Sequence, residues 1–179
     1  MGDKRMYDNL KIVHYPDPRL KLVSKPVQAF DSSLRELGLR MLQIMRMHKG
    51  VGLAAPQVGL NTRVFVMNHD GLPENDRVYI NPKIEILQGD AEGEEGCLSI
   101  PDVNADILRG VTARLTAQDA DGNPVTAEET GFIPRIWQHE IDHLDGILIL
   151  DRMRPTDKMK ARKQLRELES DFDNSRASG

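Results

Sequence analysis

The run Gln138-His139-Glu140-Ile141-Asp142-His143 constrains this chain more than any other feature. Residues four apart on an α-helix stand about one turn above one another, so a helix here brings His139 and His143 to one face with Glu140 beside them. Two imidazoles and a carboxylate arranged in this way are the donor pattern of a catalytic metal site that activates water. The pattern is short, and its meaning depends on what the rest of the chain supplies as a third ligand.

At 179 residues the chain is read as a single domain, 1–179, built on one good core. Its 24 basic and 28 acidic side chains leave a net charge of −4, which gives no electrostatic case for DNA or RNA as the principal ligand. Cys97 is the single cysteine, so no intramolecular disulfide forms and a reducing compartment suits the chain. Met1 to Asp8 lack the apolar run of a signal peptide, and no stretch approaches a membrane span. The expectation is a cytoplasmic enzyme and a monomer, with neither membrane nor DNA as partner.

Pro16-Asp17-Pro18 and Lys25-Pro26 mark the first thirty residues as extended and turn-rich. Ser33 with Glu36 reads as a capping box for a helix in which Leu34, Leu37, Met41, Ile44 and Met45 recur at helical spacing, with Gly50 as its stop. A glycine-punctuated loop over 50–59 leads into an alternating strand at 62–67. Further strands are expected at 77–80, 83–87, 97–100 and 111–117, with Asp121-Gly122 as a hairpin turn before Val125. A second helix is predicted from Phe132 to Leu144, with Pro134 near its start and Gly146 past its end. Residues 147–150 read as a short buried strand, and 156–172 as an amphipathic helix carrying Met159, Leu165, Leu168 and Phe172.

Several residues compete to complete the pair of histidines. A metzincin-type continuation needs H-E-x-x-H-x-x-G-x-x-H; Gly146 falls in place, but Ile149 stands where the third histidine belongs. A thermolysin-type site would take Glu167 or Glu169, which lie in a charged helical segment that reads as solvated surface. His14, His48 and His69 have no partner spacing. Cys97 remains, within Glu94-Glu95-Gly96-Cys97-Leu98-Ser99-Ile100-Pro101, although a lone cysteine is more often a small buried hydrophobe than a ligand.

The chain resembles the peptide deformylases in three motifs that occur in the family's order. These are G-x-G-L-A-A-x-Q from Gly50 to Gln57, E-G-C-L-S from Glu95 to Ser99, and Q-H-E-x-D-H from Gln138 to His143. The resemblance implies an α+β fold, with antiparallel β-sheets packed around a central metal-binding helix, an N-terminal helix and a C-terminal helix. It implies one divalent metal held by Cys97, His139 and His143, with water as fourth ligand and nucleophile, and Glu140 as general base and then acid. Zn2+ fits such a donor set, whereas the family commonly works with Fe2+, and Ni2+ or Co2+ can substitute. The implied reaction is hydrolysis of the N-formyl group of formylmethionine on newly made polypeptides, with release of formate.

By the same resemblance, the side-chain amide of Gln57 and the backbone N–H of Leu98 stabilise the oxyanion. Gly50 and Gly52 fit where the substrate backbone approaches as an added strand, and Val51, Phe132 and Ile136 form the pocket for the methionine side chain. Glu95 and Arg109 are read as an ion pair orienting the Cys97 strand, and Trp137 as core. Three positions depart from the common pattern: Asn104 replaces an arginine that contacts the peptide backbone, Gly93 an aliphatic residue of the pocket wall, and Pro134 a frequent alanine. They put subsite preference in question rather than activity. Lys158, Lys160, Arg162, Lys163 and Arg166 read as one side of a solvated helix, with a transient ribosome contact as the alternative.

Overall fold

A computed structural model describes residues 6–177, so the first five residues of the stretch read for a leader lie outside the described part. The first helix, α1, spans Ser32–Met47, and Asp31 caps it. The Asp31 carboxylate accepts from the N–H groups of Ser33 and Leu34 at 3.0 and 3.2 Å. The expected capping box at Ser33 and Glu36 therefore does not form: the Ser33 hydroxyl itself donates to Asp31. A carboxylate is the stronger acceptor, and its charge also complements the helix N-terminus.

Five strands follow, β1 (Gly52–Ala54), β2 (Val64–Met67), β3 (Arg77–Cys97), β4 (Ile100–Gln118) and β5 (Pro124–Thr130). Among the described residues they form one sheet in chain order, antiparallel throughout. The segments expected as separate strands at 77–80 and 83–87 are parts of the single long β3. Pro82, which lacks an N–H and looks like a break, falls in a register shift between Ile80 and Lys83 where the ladder is already irregular. The strand expected at 97–100 is instead a corner. Cys97 ends β3 and pairs with Ile100 at the start of β4, with Leu98 and Ser99 as the turn between them. Asp121-Gly122 makes the predicted hairpin between β4 and β5, with Gly122 at φ 87°.

Helix α2, Phe132–Leu144, matches its predicted span. One side of it packs Ile136, Trp137, Ile141 and Leu144 against Phe65, Met67, Tyr79 and Leu115 of the sheet. Trp137 is 1% exposed, as its core reading requires, and full burial of each such large apolar side chain contributes about 2 kcal/mol. The strand expected at 147–150 is replaced by a short helix, α3 (Ile149–Arg152), whose first turn is closed by Asp151 accepting from the Leu148 N–H at 2.8 Å. A four-residue apolar run fits a buried helical turn as well as a strand, so only packing decides. The last helix, α4 (Pro155–Ala177), buries Ala161 and Leu168, whereas Met159 is 76% exposed rather than part of the expected apolar face. No helix among the described residues is long and apolar enough to cross a membrane.

Candidate functional site

Helix α2 turns His139 and His143 towards the β3–β4 corner, beside the edge of its core face, where Ile136 belongs to both. There the Cys97 thiol, His139 and His143 bring one donor atom each within 4.8 Å of the others, with Cys97 Sγ 3.3 Å from His143 Nε2. The imidazole rings are 5.0 Å apart, centroid to centroid, and steeply inclined. This is a donor set of one sulfur and two nitrogens, the chemistry of a site for a divalent transition metal.

The surrounding charges fit such an ion. Glu95 Oε2 lies 2.9 Å from His139 Nδ1, a contact that keeps the proton on Nδ1 and leaves the Nε2 lone pair for a metal. Burial by itself would raise the Glu95 carboxyl, but hydrogen bonds from His139 and Arg109, together with their charge, hold it down at about 2. Burial likewise works against a charged His139, yet its contacts with Cys97 and Glu95 raise it well above the ordinary value. The centre thus attracts positive charge at the point where three ligand atoms converge. His143 is pushed well down, by burial first and by His139 second, so it stays a neutral imidazole, the form in which it can ligate. Its Nδ1 has no partner among the described residues, whereas a carboxylate orients His139.

Arg109 lies beneath the centre. It grips Glu95 through Nε and Nη2 at 2.9 and 3.0 Å and reaches Asp142 through Nη1 at 2.6 Å. Asp142 also accepts two bonds from Arg152. The expected Glu95–Arg109 pair is therefore buried, with both side chains about 5% exposed or less, and belongs to a network that ties β3, β4, α2 and α3 together. The sequence reading passed over Asp142 and Arg152. Asp142 sits inside the histidine motif, but its partner at 152 has no recognisable spacing.

Glu140 is buried, and desolvation pushes its carboxyl up to about 7, with the charge of His139 acting against that rise. Its Oε2 makes no hydrogen bond among the described residues. Its Oε1 faces Gly52, where any side chain would overlap it: a Cβ at that position would fall 2.8 Å from Glu140 Cδ and 3.0 Å from Cγ. Gly52 is thus required by close approach of strand β1 to the helix. Gln57 is fixed as well: its Oε1 accepts from the Ala54 N–H at 2.8 Å, which turns Nε2 towards Ser99 Oγ at 3.3 Å and Cys97 Sγ at 3.6 Å. Ser99, fully buried beside this amide, is a further residue the sequence reading left without a role.

A cavity of about 560 Å³ opens over these groups. Gly50, Val51, Gly52, Leu98, Phe132 and Ile136 all line it, together with Gln57, Cys97, His139 and Glu140. Ile136 is 3% exposed and lies deep, whereas Val51 and Phe132 are 39% and 54% exposed and stand at the mouth. A bulge in β4 shapes one flank. Gly96 pairs with Asn104 but Cys97 pairs with Ile100, so Pro101, Asp102 and Val103 have no opposite partners and, with Asn104, run along the cavity. His14 and His48, isolated in sequence, meet at the same rim. Of the three departures, Asn104 faces the cavity, Pro134 sits buried in the first turn of α2, and Gly93 lies under the Arg135 guanidinium.

Known proteins resemble the chain over most of its length. The model of the family described as polypeptide deformylase matches residues 9–159. The peptide deformylase of Alkalilimnicola ehrlichii is 44% identical over 162 residues, covering 89% of this chain and 90% of that protein. The crystal structure of peptide deformylase from Plasmodium falciparum superposes with a TM-score of 0.89 at 39% identity, over 92% of this chain and 98% of the other. That of a peptide deformylase from Legionella pneumophila gives 0.84 at 37% identity, over 95% and 98%.

Proposed function

Because this chain belongs to the polypeptide deformylase family, we propose that it hydrolyses the N-formyl group of formylmethionine at the start of newly synthesised polypeptides, releasing formate and a free amino terminus. The observation that carries the reading is the Glu140 carboxyl, buried beside three convergent ligand atoms with one oxygen left unpaired among the described residues. A site that served only to bind an ion would have no use for it.

Cys97, His139 and His143 would hold a divalent ion, Fe2+ in the cell, with Zn2+, Ni2+ or Co2+ able to replace it. When bound, the ion supplies Lewis acidity that polarises the formyl carbonyl and makes water acidic near neutral pH. Glu140 takes the proton of the attacking water at its carboxylate and returns it to the departing amine. The Gln57 Nε2–H and the Leu98 N–H donate to the developing oxyanion. Gln57 is suited to this because Ala54 already occupies its oxygen, so its donor end faces the thiol. Gly50 and Gly52 leave room for the peptide backbone, and Val51, Phe132 and Ile136 receive the methionine side chain against an apolar wall. The whole reaction is carried by one domain acting as a monomer in the cytoplasm.

Replacing Glu140 by Gln tests the assignment. The variant is expected to retain its metal and to lose formate release from a formyl-Met peptide by several orders of magnitude. Turnover within tenfold of the parent would refute the role of Glu140.

A further inference from the structure

Arg135 lies one turn before His139 on α2, with its side chain 14% exposed. Its Nη1 donates to Glu95 Oε1 at 2.9 Å and to the Ile107 carbonyl at 2.8 Å, with a longer contact of 3.3 Å to the Gly93 carbonyl. Its Nη2 donates to the Ala91 carbonyl at 2.8 Å. One guanidinium thus joins α2 to both long strands and to the carboxylate that orients a metal ligand.

A carboxylate offers about four acceptor positions. Those of Glu95 are all taken: Oε1 by Arg109 Nε and Arg135 Nη1, Oε2 by Arg109 Nη2 and His139 Nδ1. Removing Arg135 empties one position on Oε1 and leaves the carboxylate to the Arg109 fork and His139, so the geometry of the His139 contact loses one of its restraints. Gly93 belongs to the same arrangement. A Cβ there would stand 2.9 Å from Arg135 Cζ, 3.0 Å from Nη2 and 3.2 Å from Nε, so the guanidinium has its seat only because residue 93 has no side chain.

We propose that Arg135 is a positioning residue for the metal centre: seated on Gly93, it locks Glu95 and thereby fixes the ring of His139. The inference rests on the reading of Cys97, His139 and His143 as metal ligands. Partners that orient a ligating histidine are worth on the order of 10–100-fold in metal affinity.

The test measures Co2+ affinity of the full chain by competition with a chromophoric chelator, alongside the Co2+ absorption bands, melting temperature and steady-state kinetics. Arg135→Met, one contact further out than Glu95, is expected to weaken Co2+ binding by about tenfold, the low end of the range for a direct partner, and to alter the absorption bands. Arg135→Lys is expected not to rescue it, because an ammonium cannot span two strands and a carboxylate in one plane. Gly93→Ala, which keeps the arginine but removes its seat, is expected to reproduce the loss, and the double variant to be no weaker than Arg135→Met alone. Co2+ affinity within twofold of the parent in both Arg135→Met and Gly93→Ala would overturn the proposal, whatever the melting temperature. So would a raised KM with unchanged metal affinity, which would make Arg135 a wall of the substrate pocket. A parent chain that bound no Co2+ would overturn the metal-centre reading itself, and this inference with it.

Discussion

Replacing Gly52 by alanine puts a methyl group into the space held by the Glu140 carboxylate. The added Cβ would lie 2.8 Å from Glu140 Cδ and 3.0 Å from Cγ, whereas ordinary van der Waals contact begins at 3.4 Å. The carboxyl carbon must therefore retreat by about 0.6 Å, from 2.8 to 3.4 Å, and its oxygen by more. Both residues are buried, so the shift is forced on the side chain or on strand β1. Misplacing a reacting group by about 1 Å costs roughly a hundredfold in rate, and overpacking a tight site costs about 1–3 kcal/mol of stability. Gly52→Ala is expected to lower kcat for formate release from a formyl-Met peptide by about two orders of magnitude. Metal content should be unchanged, since none of the three ligands is touched. In a Glu140→Ala background the methyl has room, and the same substitution should cost no further stability. Activity of Gly52→Ala within about threefold of the parent, against the hundredfold expected, would refute the close-approach argument.

Arg109→Met deletes three charge-assisted hydrogen bonds from two buried carboxylates. Breaking a buried pair costs about 3–5 kcal/mol, and the arginines left on Glu95 and Asp142 put this case near the lower end, a fall of roughly 6–12 °C in melting temperature. A fall below about 2 °C would show the network to be energetically idle. The Tyr15 hydroxyl donates to Glu169 at 2.7 Å and so ties the N-terminal segment to α4. Burial first, and then the hydrogen bond and charge of Glu169, push Tyr15 up to about 12. Its folded value exceeds the reference of 10.0, so the stability it contributes is whole below pH 10 and is lost as pH rises towards 12. The stability difference between the parent and Tyr15→Phe in denaturant titrations should shrink between those two pH values. A difference that stays constant would contradict this linkage.

The motif-bearing helix was legible because its hydrophobic spacing, Pro134 and Gly146 agree locally, and Phe132–Leu144 forms as expected. Strand limits were less legible. Pro82 and the glycines of β3 look like punctuation in sequence, but register shifts absorb some of them and the ladder runs on to Cys97. The cap of α1 moved because Asp31 captures the N–H groups of Ser33 and Leu34 and the Ser33 hydroxyl as well, so the helix starts two residues before the S-x-x-E pattern would start it. Within the site, residues adjacent in a motif could be found by eye; their partners from distant segments could not. Arg109 with Asp142, Arg135 with Gly93 and Arg152 with Asp142 are joined across separations that carry no periodic signal.

The sequence by itself determined which side chains are available to hold a metal, which carboxylate stands beside them and which helix carries them, since these follow from local spacing on a 3.6-residue turn. Tertiary structure decided how closely Cys97 approaches the two histidines, that Glu95 sets the His139 tautomer, and that Gly52 must lack a side chain. The reason is physical. Helical spacing is a property of neighbouring residues, whereas a converged buried site depends on strand register and on the desolvation of charges brought together from separate segments of the chain.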